Sequence, residues 1–475
     1  MSETQLEMNF NPVAGNRIRE ALENGRFLTL IETQVPSNEM DRSSAVKRIE
    51  ALGNAVFNNP DMPDTAIAII DNSSRPDWRA IELAAALPEN DRDRHLVCLS
   101  GAGLDKKGVM ELVQMAENAG IYNIIPVSGD IPEKIKSAKE CRKIPFTESC
   151  DILRILAERK GKFFTGAAVN PYQYTPYTLL GSYYKMMKKF NCGANFLITQ
   201  TGWDMLKLQS LVWYLTGRDM HYPKIARLTL LSPERLDTIL NGGAPGIKIS
   251  KDMKKLLDKE LVYSKNQFEA TQYRRLELQA AGCRLLGFSG IEISGADNPA
   301  KTGYVLSRIS TALKEYRSFE VWLDEYNAFM ASTEMAPYSW SFQLYDRMLY
   351  RNYPFDDQPE TRELPAPYAG FAEKTALRIK SFLFSHADRQ RSDNARYLKA
   401  LLAGCTGCNK CCLPQKNYIC PYTCPMQLKN GICGSVNPDG SCPLTRQECV
   451  HHMVLRLAHL RNKLPEQENI ILSDD

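Results

Sequence analysis

Eight short runs rich in β-branched and apolar residues recur along the first part of the chain, at 27–31, 66–70, 95–99, 123–127, 164–169, 195–199, 225–231 and 286–293. Between them lie longer segments whose apolar residues fall at helical spacing, such as 104–119, 177–190 and 265–281. Parallel strands need long crossovers, usually helical, so this alternation predicts a parallel sheet clothed in helices. Eight such units in roughly 300 residues close into a (β/α)8 TIM barrel more readily than they spread into an open sheet. The fold class expected is α/β.

A chain of 475 residues exceeds what one such core needs, so a second, smaller unit is expected. The composition, 44% hydrophobic and 24% charged, is that of a globular protein. A net charge of +4 spread over this length is a weak field, which argues against a nucleic-acid or membrane partner. No run approaches the ~18 apolar residues of a spanning helix, and no basic segment leads into an apolar one at the start. A cytoplasmic protein is expected, and a reducing compartment keeps thiols free for metals.

The expected organisation is a barrel over 1–325, a linker and connecting helix over 326–400, and a cysteine-rich metal-binding domain over 401–475. Residues 336–367 turn aromatic, irregular and then proline-rich, as a linker does. Residues 374–402 read as a basic, solvated helix. Nine of the 14 cysteines then follow as C-x2-C-x2-C-C-x7-C-x3-C-x8-C-x8-C-x6-C: Cys405, Cys408, Cys411, Cys412, Cys420, Cys424, Cys433, Cys442 and Cys449. Thiolates so closely set in a reducing compartment point to metal. The Cys-x2-Cys-x2-Cys opening and the Cys-Pro pairs favour a [4Fe–4S] cluster, while tetrahedral zinc, which needs only four thiolates, stays open. His451 and His452 belong to a last helix over 451–463.

In such barrels the chemistry gathers at the carboxyl ends of the strands. The polar residues there are Glu32, Asp71 and Asn72, Ser128, Gly129 and Asp130, Asn170, and Gln200. The plainer account of each is a helix cap or a closed turn.

Three strand-end stretches carry more: FLTLIETQVP with Glu32, AGIYNIIPVSGDIP with Gly129 and Asp130, and CGANFLITQTGWD with Gln200 and Asp204, supported by HLVC at 95–98 and GAAVNP at 166–171. In order and spacing they resemble the methylenetetrahydrofolate reductase family. The resemblance implies a flavoenzyme, with FAD expected and FMN as the alternative, that interconverts 5,10-methylenetetrahydrofolate and 5-methyltetrahydrofolate by hydride exchange with the flavin. Glu32 matches the family's acid, which protonates N10 so that the folate ring opens. That role requires a carboxyl raised by burial among neighbours such as Phe27, Leu30 and Ile31. Asp130 matches an aspartate near pterin and flavin, and Gln200 a glutamine on the pterin or nicotinamide. Lys189 matches a lysine on the flavin phosphates, and His95 a flavin-contacting histidine. Ser128, Gly129, Asp130 and Asn170 would complete the flavin-binding strand ends. Ser128 stands where the family usually has arginine, Asn170 where it has tyrosine, and Gly295 near the place of a folate arginine. These departures point away from direct use of a nicotinamide. The cysteine segment resembles the carboxy-terminal domain that accompanies a subset of the family; with an iron–sulfur cluster it would carry single electrons and a redox partner protein would replace NADH, and with zinc it would be a structural cap or docking module. Two rivals remain at this stage: a non-catalytic scaffold or electron-transfer subunit, and a pterin-binding methyltransferase on the same barrel. A homo-oligomer is compatible with either outcome.

Overall fold

The computed structural model describes residues 15–36, 40–72, 78–132, 134–330, 364, 367–385, 396–405, 407–408 and 411–473. The linker expected over 336–367 lies almost wholly outside the described residues.

Eight parallel strands close in sequence order: β1 (Leu28–Gln34), β2 (Thr65–Ile70), β3 (His95–Ser100), β4 (Asn123–Val127), β5 (Phe164–Val169), β6 (Phe196–Thr199), β7 (Lys224–Thr229) and β8 (Gly290–Ser294). Closure runs through β1 against β8, with Leu30 opposite Glu292, and β7 against β8, with Arg227 opposite Glu292. The strands are buried on both faces, as helices outside and side chains inside require. This is the (β/α)8 barrel expected from the alternation, and each of the eight runs overlaps a strand.

Residues on alternate positions fill the barrel. Leu28, Leu30, Ala66, Ala68, Leu96, Ile125, Phe164, Phe196, Ile198 and Ile225 form one inner cluster. Phe164 stacks on Phe196 with ring centroids 5.0 Å apart. The helix Arg17–Glu23 closes the amino end, adding Ile18, Ala21 and Leu22 to that cluster. It is capped by Asn16, whose side chain also donates to Asn123 at 2.8 Å. The opposite faces of the strands pack on the outer helices in a larger cluster that includes Ile31, Ile67, Val97, Leu228, Ile293 and Trp322.

Beyond the barrel, two helices, Phe371–Phe384 and Arg396–Ala403, stand where the sequence predicts one long connecting helix. The cysteine segment is mostly turns, with the helix Val450–Leu460 after its last cysteine. Sparse regular structure follows from the sequence, since 404–449 offers no sustained apolar period and many Pro, Gly and Asn residues. Among the described residues no helix is long and apolar enough to cross a membrane.

Candidate functional site

The carboxyl end of the barrel carries a charged layer above the apolar interior. Glu32 of β1, Arg227 of β7 and Glu292 of β8 all occupy inward positions near the mouth. Arg227 Nε donates to Glu32 Oε2 at 2.6 Å, its Nη2 donates to the same oxygen, and its Nε lies 2.9 Å from Glu292 Oε1. Glu32 is 6% exposed and Glu292 1%, whereas 23% of the Arg227 side chain still reaches solvent. Arg227 is therefore the member of the trio that solvent reaches.

The electrostatics differ from the sequence expectation. Burial pushes the Glu32 carboxyl up, but the charge of Arg227 and hydrogen bonds from Glu292 and Arg227 outweigh it, leaving Glu32 below its ordinary value. Glu292 takes the opposite course: burial, opposed by Arg227 and reinforced by the negative charge of Glu32, holds it up at about 8. Apolar neighbours alone would have raised Glu32; the cation from β7 reverses the sign.

The cysteine-rich tail lies over this mouth. Ser435 approaches Asp130, with its Oγ 3.5 Å from Oδ1. Asn170 donates to the carbonyls of Gly246, at 3.3 Å, and Gly434, at 3.2 Å, while its own Oδ1 accepts from the amide of Tyr172. Gly246, at φ +77, admits no side chain, because a Cβ there would stand 2.8 Å from the Gly434 carbonyl and 3.2 Å from Gln200 Nε2. Asp130 and Asn170, from two strand ends, thus meet a single tail segment, and Gln200 lies beside Gly246 next to it. Asp130 itself is open to solvent by area. The surrounding protein pushes its carboxyl up, with Ser435 and Arg227 opposing.

A buried polar seam fastens tail to barrel. Glu148, which begins the helix Ser149–Ala157, accepts from the amide of Lys429 at 3.1 Å and from the amide and side chain of Asn430 at 3.0 and 2.9 Å. Lys185 Nζ sits 2.9 Å from Glu148 and 3.2 Å from the Ile432 carbonyl, and Lys188 Nζ donates to the Asn430 carbonyl at 2.9 Å. Burial raises and Lys185 lowers the Glu148 carboxyl, which settles at about 2. Both lysines lie on the helix Pro176–Asn191, and both are buried. Lys189 is buried too; it donates to the Ala168 carbonyl of β5 at 2.5 Å, and burial together with Lys185 lowers it to about 8.

The remaining strand-end candidates do other work. Ser128 Oγ accepts from the amide of Ser149 at 3.1 Å and so steadies the next helix. Gly129, at φ +83, passes so close to β3 that a Cβ would meet Ser100 Oγ at 2.3 Å. Asp71 accepts from the amides of Ala80 at 2.7 Å and Ser100 at 3.1 Å, and Asn72 donates to the Val35 carbonyl at 3.0 Å. Asp204 caps the helix Met205–Thr216. His95 begins β3, buried with its ring edge-on to Phe57 at 5.7 Å, and stands in register with Ile67 of β2.

The tail thiols fall into two neighbourhoods. Burial, the nearby hydrogen-bonding amide of Tyr422, and Cys405, Cys408 and Cys411 act on Cys420, which sits at about 11; Cys412 answers to burial and to Cys420, Cys408 and Cys411. Cys424 and Cys449 answer to burial and to Cys433, and Cys449 and Cys433 also to Cys442. Cys141 of the barrel answers to Cys442 and Cys433 as well. A cavity of about 310 Å³ is walled by Cys420, Cys424, Cys433, Cys442 and Cys449. Among the described residues, no three His, Cys, Asp or Glu side chains converge tightly enough to hold a single metal ion. Asp130 also acts on Cys433, so the second neighbourhood borders the barrel mouth.

Residues 17–230 match the family model for methylenetetrahydrofolate reductase, and residues 384–475 match that for the methylene-tetrahydrofolate reductase C terminal. The chain belongs to the methylenetetrahydrofolate reductase family. As a member of this family it is an oxidoreductase. No curated protein matches the sequence. Among solved structures, an uncharacterized protein from Clostridium thermocellum that binds two copies of 5-methyl-5,6,7,8-tetrahydrofolic acid is 12% identical, covers 63% of this chain and 99% of its own, and has a TM-score of 0.42. A tryptophan synthase from M. tuberculosis is 11% identical, covers 62% and 99%, and scores 0.35. The family assignment rests on the two sequence matches.

Arg227 and Glu292 were missed in the sequence. Both are charged residues at inward positions of strands that are otherwise apolar, in KIARLT and GIEIS. A charge in a strand buried on both faces must be paired, and that signal was there to be read.

Proposed function

We propose that this family member is a flavin-dependent 5,10-methylenetetrahydrofolate reductase that exchanges electrons with a partner protein through its tail. The observation that carries this reading is the seating of the tail segment 430–435 on the barrel mouth, which sets Cys433 beside Asp130 and the Gly434 carbonyl on Asn170.

The mouth suits a flavin and a folate. It presents a cation, Arg227, and carboxyls that include a raised Glu292, above a wall kept low by Ala68 and Ala168. A single zinc draws four thiolates to about 2.3 Å from one point. Thiols set apart around a cavity of about 310 Å³ suit an iron–sulfur cluster instead. Cys424, Cys433, Cys442 and Cys449 would hold one, and Cys405, Cys408, Cys411 and Cys420, with Cys412 beside them, a second. Bound flavin supplies the hydride, and bound clusters supply single electrons.

The chain's own residues supply orientation and the proton. Glu32 delivers a proton to N10 as the folate ring opens. Asp130 favours the positive charge that develops at the pterin. Gln200 aligns the pterin.

The test is an anaerobic preparation analysed for flavin, iron, sulfide and zinc, followed by folate turnover with a reduced one-electron carrier and with NADH. Flavin and iron in one protein, turnover with the carrier and slow reduction by NADH are expected. Absence of flavin, or zinc as the only metal, refutes the corresponding part.

A further inference from the structure

Three side chains at the mouth raise a question of charge that the family role of Glu32 does not answer. Two carboxylates and one guanidinium, in a layer where the carboxyls are almost wholly buried, would leave one negative charge without a partner. A proton is the cheapest neutraliser of such a charge. Arg227 gives both Nε and Nη2 to Glu32 and only a shared Nε to Glu292. Glu32 is therefore the better-stabilised anion. Glu292 Oε2 is buried and accepts no hydrogen bond. An unpartnered buried oxygen is costly, but an O–H there can donate to Glu32, since the two carboxyls lie within hydrogen-bonding reach of each other.

We propose that Glu292 is the proton-holding residue of this site, storing on Oε2 the proton that Glu32 hands to substrate. It acts through Glu32 and touches no substrate itself. This rests on the reading of the barrel as a folate reductase. The step balances without a further reactant. As Glu32 gives a proton to N10 and the bond from N10 to the methylene carbon breaks, the Glu292 proton crosses to Glu32, leaving Glu32 as before and Glu292 as a carboxylate beside Arg227. Solvent reaching Arg227 then restores the proton. In the reverse direction, the proton released at N10 returns along the same path.

The groups facing this pair are Arg227 of β7, Cys98 of β3, Asp130 after β4, and Arg235, which lies far enough out to act only on Glu32. Glu292 and Arg227 act oppositely on Cys98, which burial keeps as a neutral thiol. A neutral Cys98 leaves the charge count of the trio unchanged.

Two measurements on the holoenzyme test the proposal. Infrared titration of the resting wild-type protein is expected to show one buried protonated carboxyl at neutral pH that ionises near pH 8. Glu292→Gln is expected to remove that band, and Glu32→Gln, which leaves Glu292 as the one carboxyl beside Arg227, to let Glu292 ionise at lower pH. In folate turnover, Glu292→Gln should lower kcat by about 10²-fold, the scale of a lost proton donor. It should also move the alkaline limb to lower pH while KM for folate stays within a few-fold. Glu292→Asp should restore part of the rate. Absence of a protonated carboxyl in the wild-type protein overturns the proposal, whatever the variants do. So does an unchanged pH profile in Glu292→Gln with folate turnover intact, an outcome that leaves the reductase reading standing. A band lost in Glu292→Gln from a protein that turns over no folate would sustain the proton store and sink the reductase reading instead.

Discussion

Replacing Glu148 by Gln tests whether the tail is held to the barrel by a single buried carboxylate. In the wild-type protein that carboxylate accepts from two backbone amides and one side-chain amide of the tail and faces Lys185 at 2.9 Å. Glutamine keeps the volume but has one acceptor oxygen, and its NH2 must face donors. Lys185 is left with only the Gly431 and Ile432 carbonyls. Breaking one side of a buried ion pair costs about 3–5 kcal/mol. An independent route agrees: a carboxyl held at about 2 instead of 4.5 contributes on the order of 3 kcal/mol. Lys185 is shifted upward, so both partners favour their charged forms. Because the folded value of Glu148 is depressed, its contribution is present in full above pH 4.5 and is lost as pH falls towards 2. Urea unfolding at pH 7 should show Glu148→Gln destabilised by about 3 kcal/mol, with a smaller difference from wild type below pH 4. Limited proteolysis should release the tail first. A loss under about 1 kcal/mol, or one that does not shrink in acid, would refute the reasoning.

Three further outcomes are expected. Trp322 is fully buried, donates to the Leu278 carbonyl at 2.7 Å and stacks on Tyr326 at 5.0 Å; Trp322→Ala should cost about 3–5 kcal/mol in denaturant unfolding. Asp130→Asn should lower folate turnover by about 10²-fold while flavin content holds, since it removes a charge and little volume; equal turnover would remove Asp130 from the mechanism. Cys408→Ser and Cys433→Ser should each lower iron content by about half, and the double variant should lose nearly all; complete loss in either single variant would mean that the thiols form one centre.

The sequence by itself determined the barrel, because alternation of apolar runs with helical segments reports local geometry that neighbouring residues impose on one another. It also marked Glu32, Asp130, Asn170 and Gln200 as strand-end candidates, since a strand's carboxyl end is visible in one dimension. Its reading of Glu32 as a carboxyl raised by apolar neighbours took account of β1 alone, and the sign was decided by Arg227, 195 positions away and on another strand. Nothing nearby in sequence announces that 429–432 will cover Lys185 and Lys188. Charge pairing, the division of the nine tail thiols into two neighbourhoods and the roof over the barrel mouth are all long-range arrangements. They depend on which surfaces meet after the chain has folded, and only the tertiary structure could decide them.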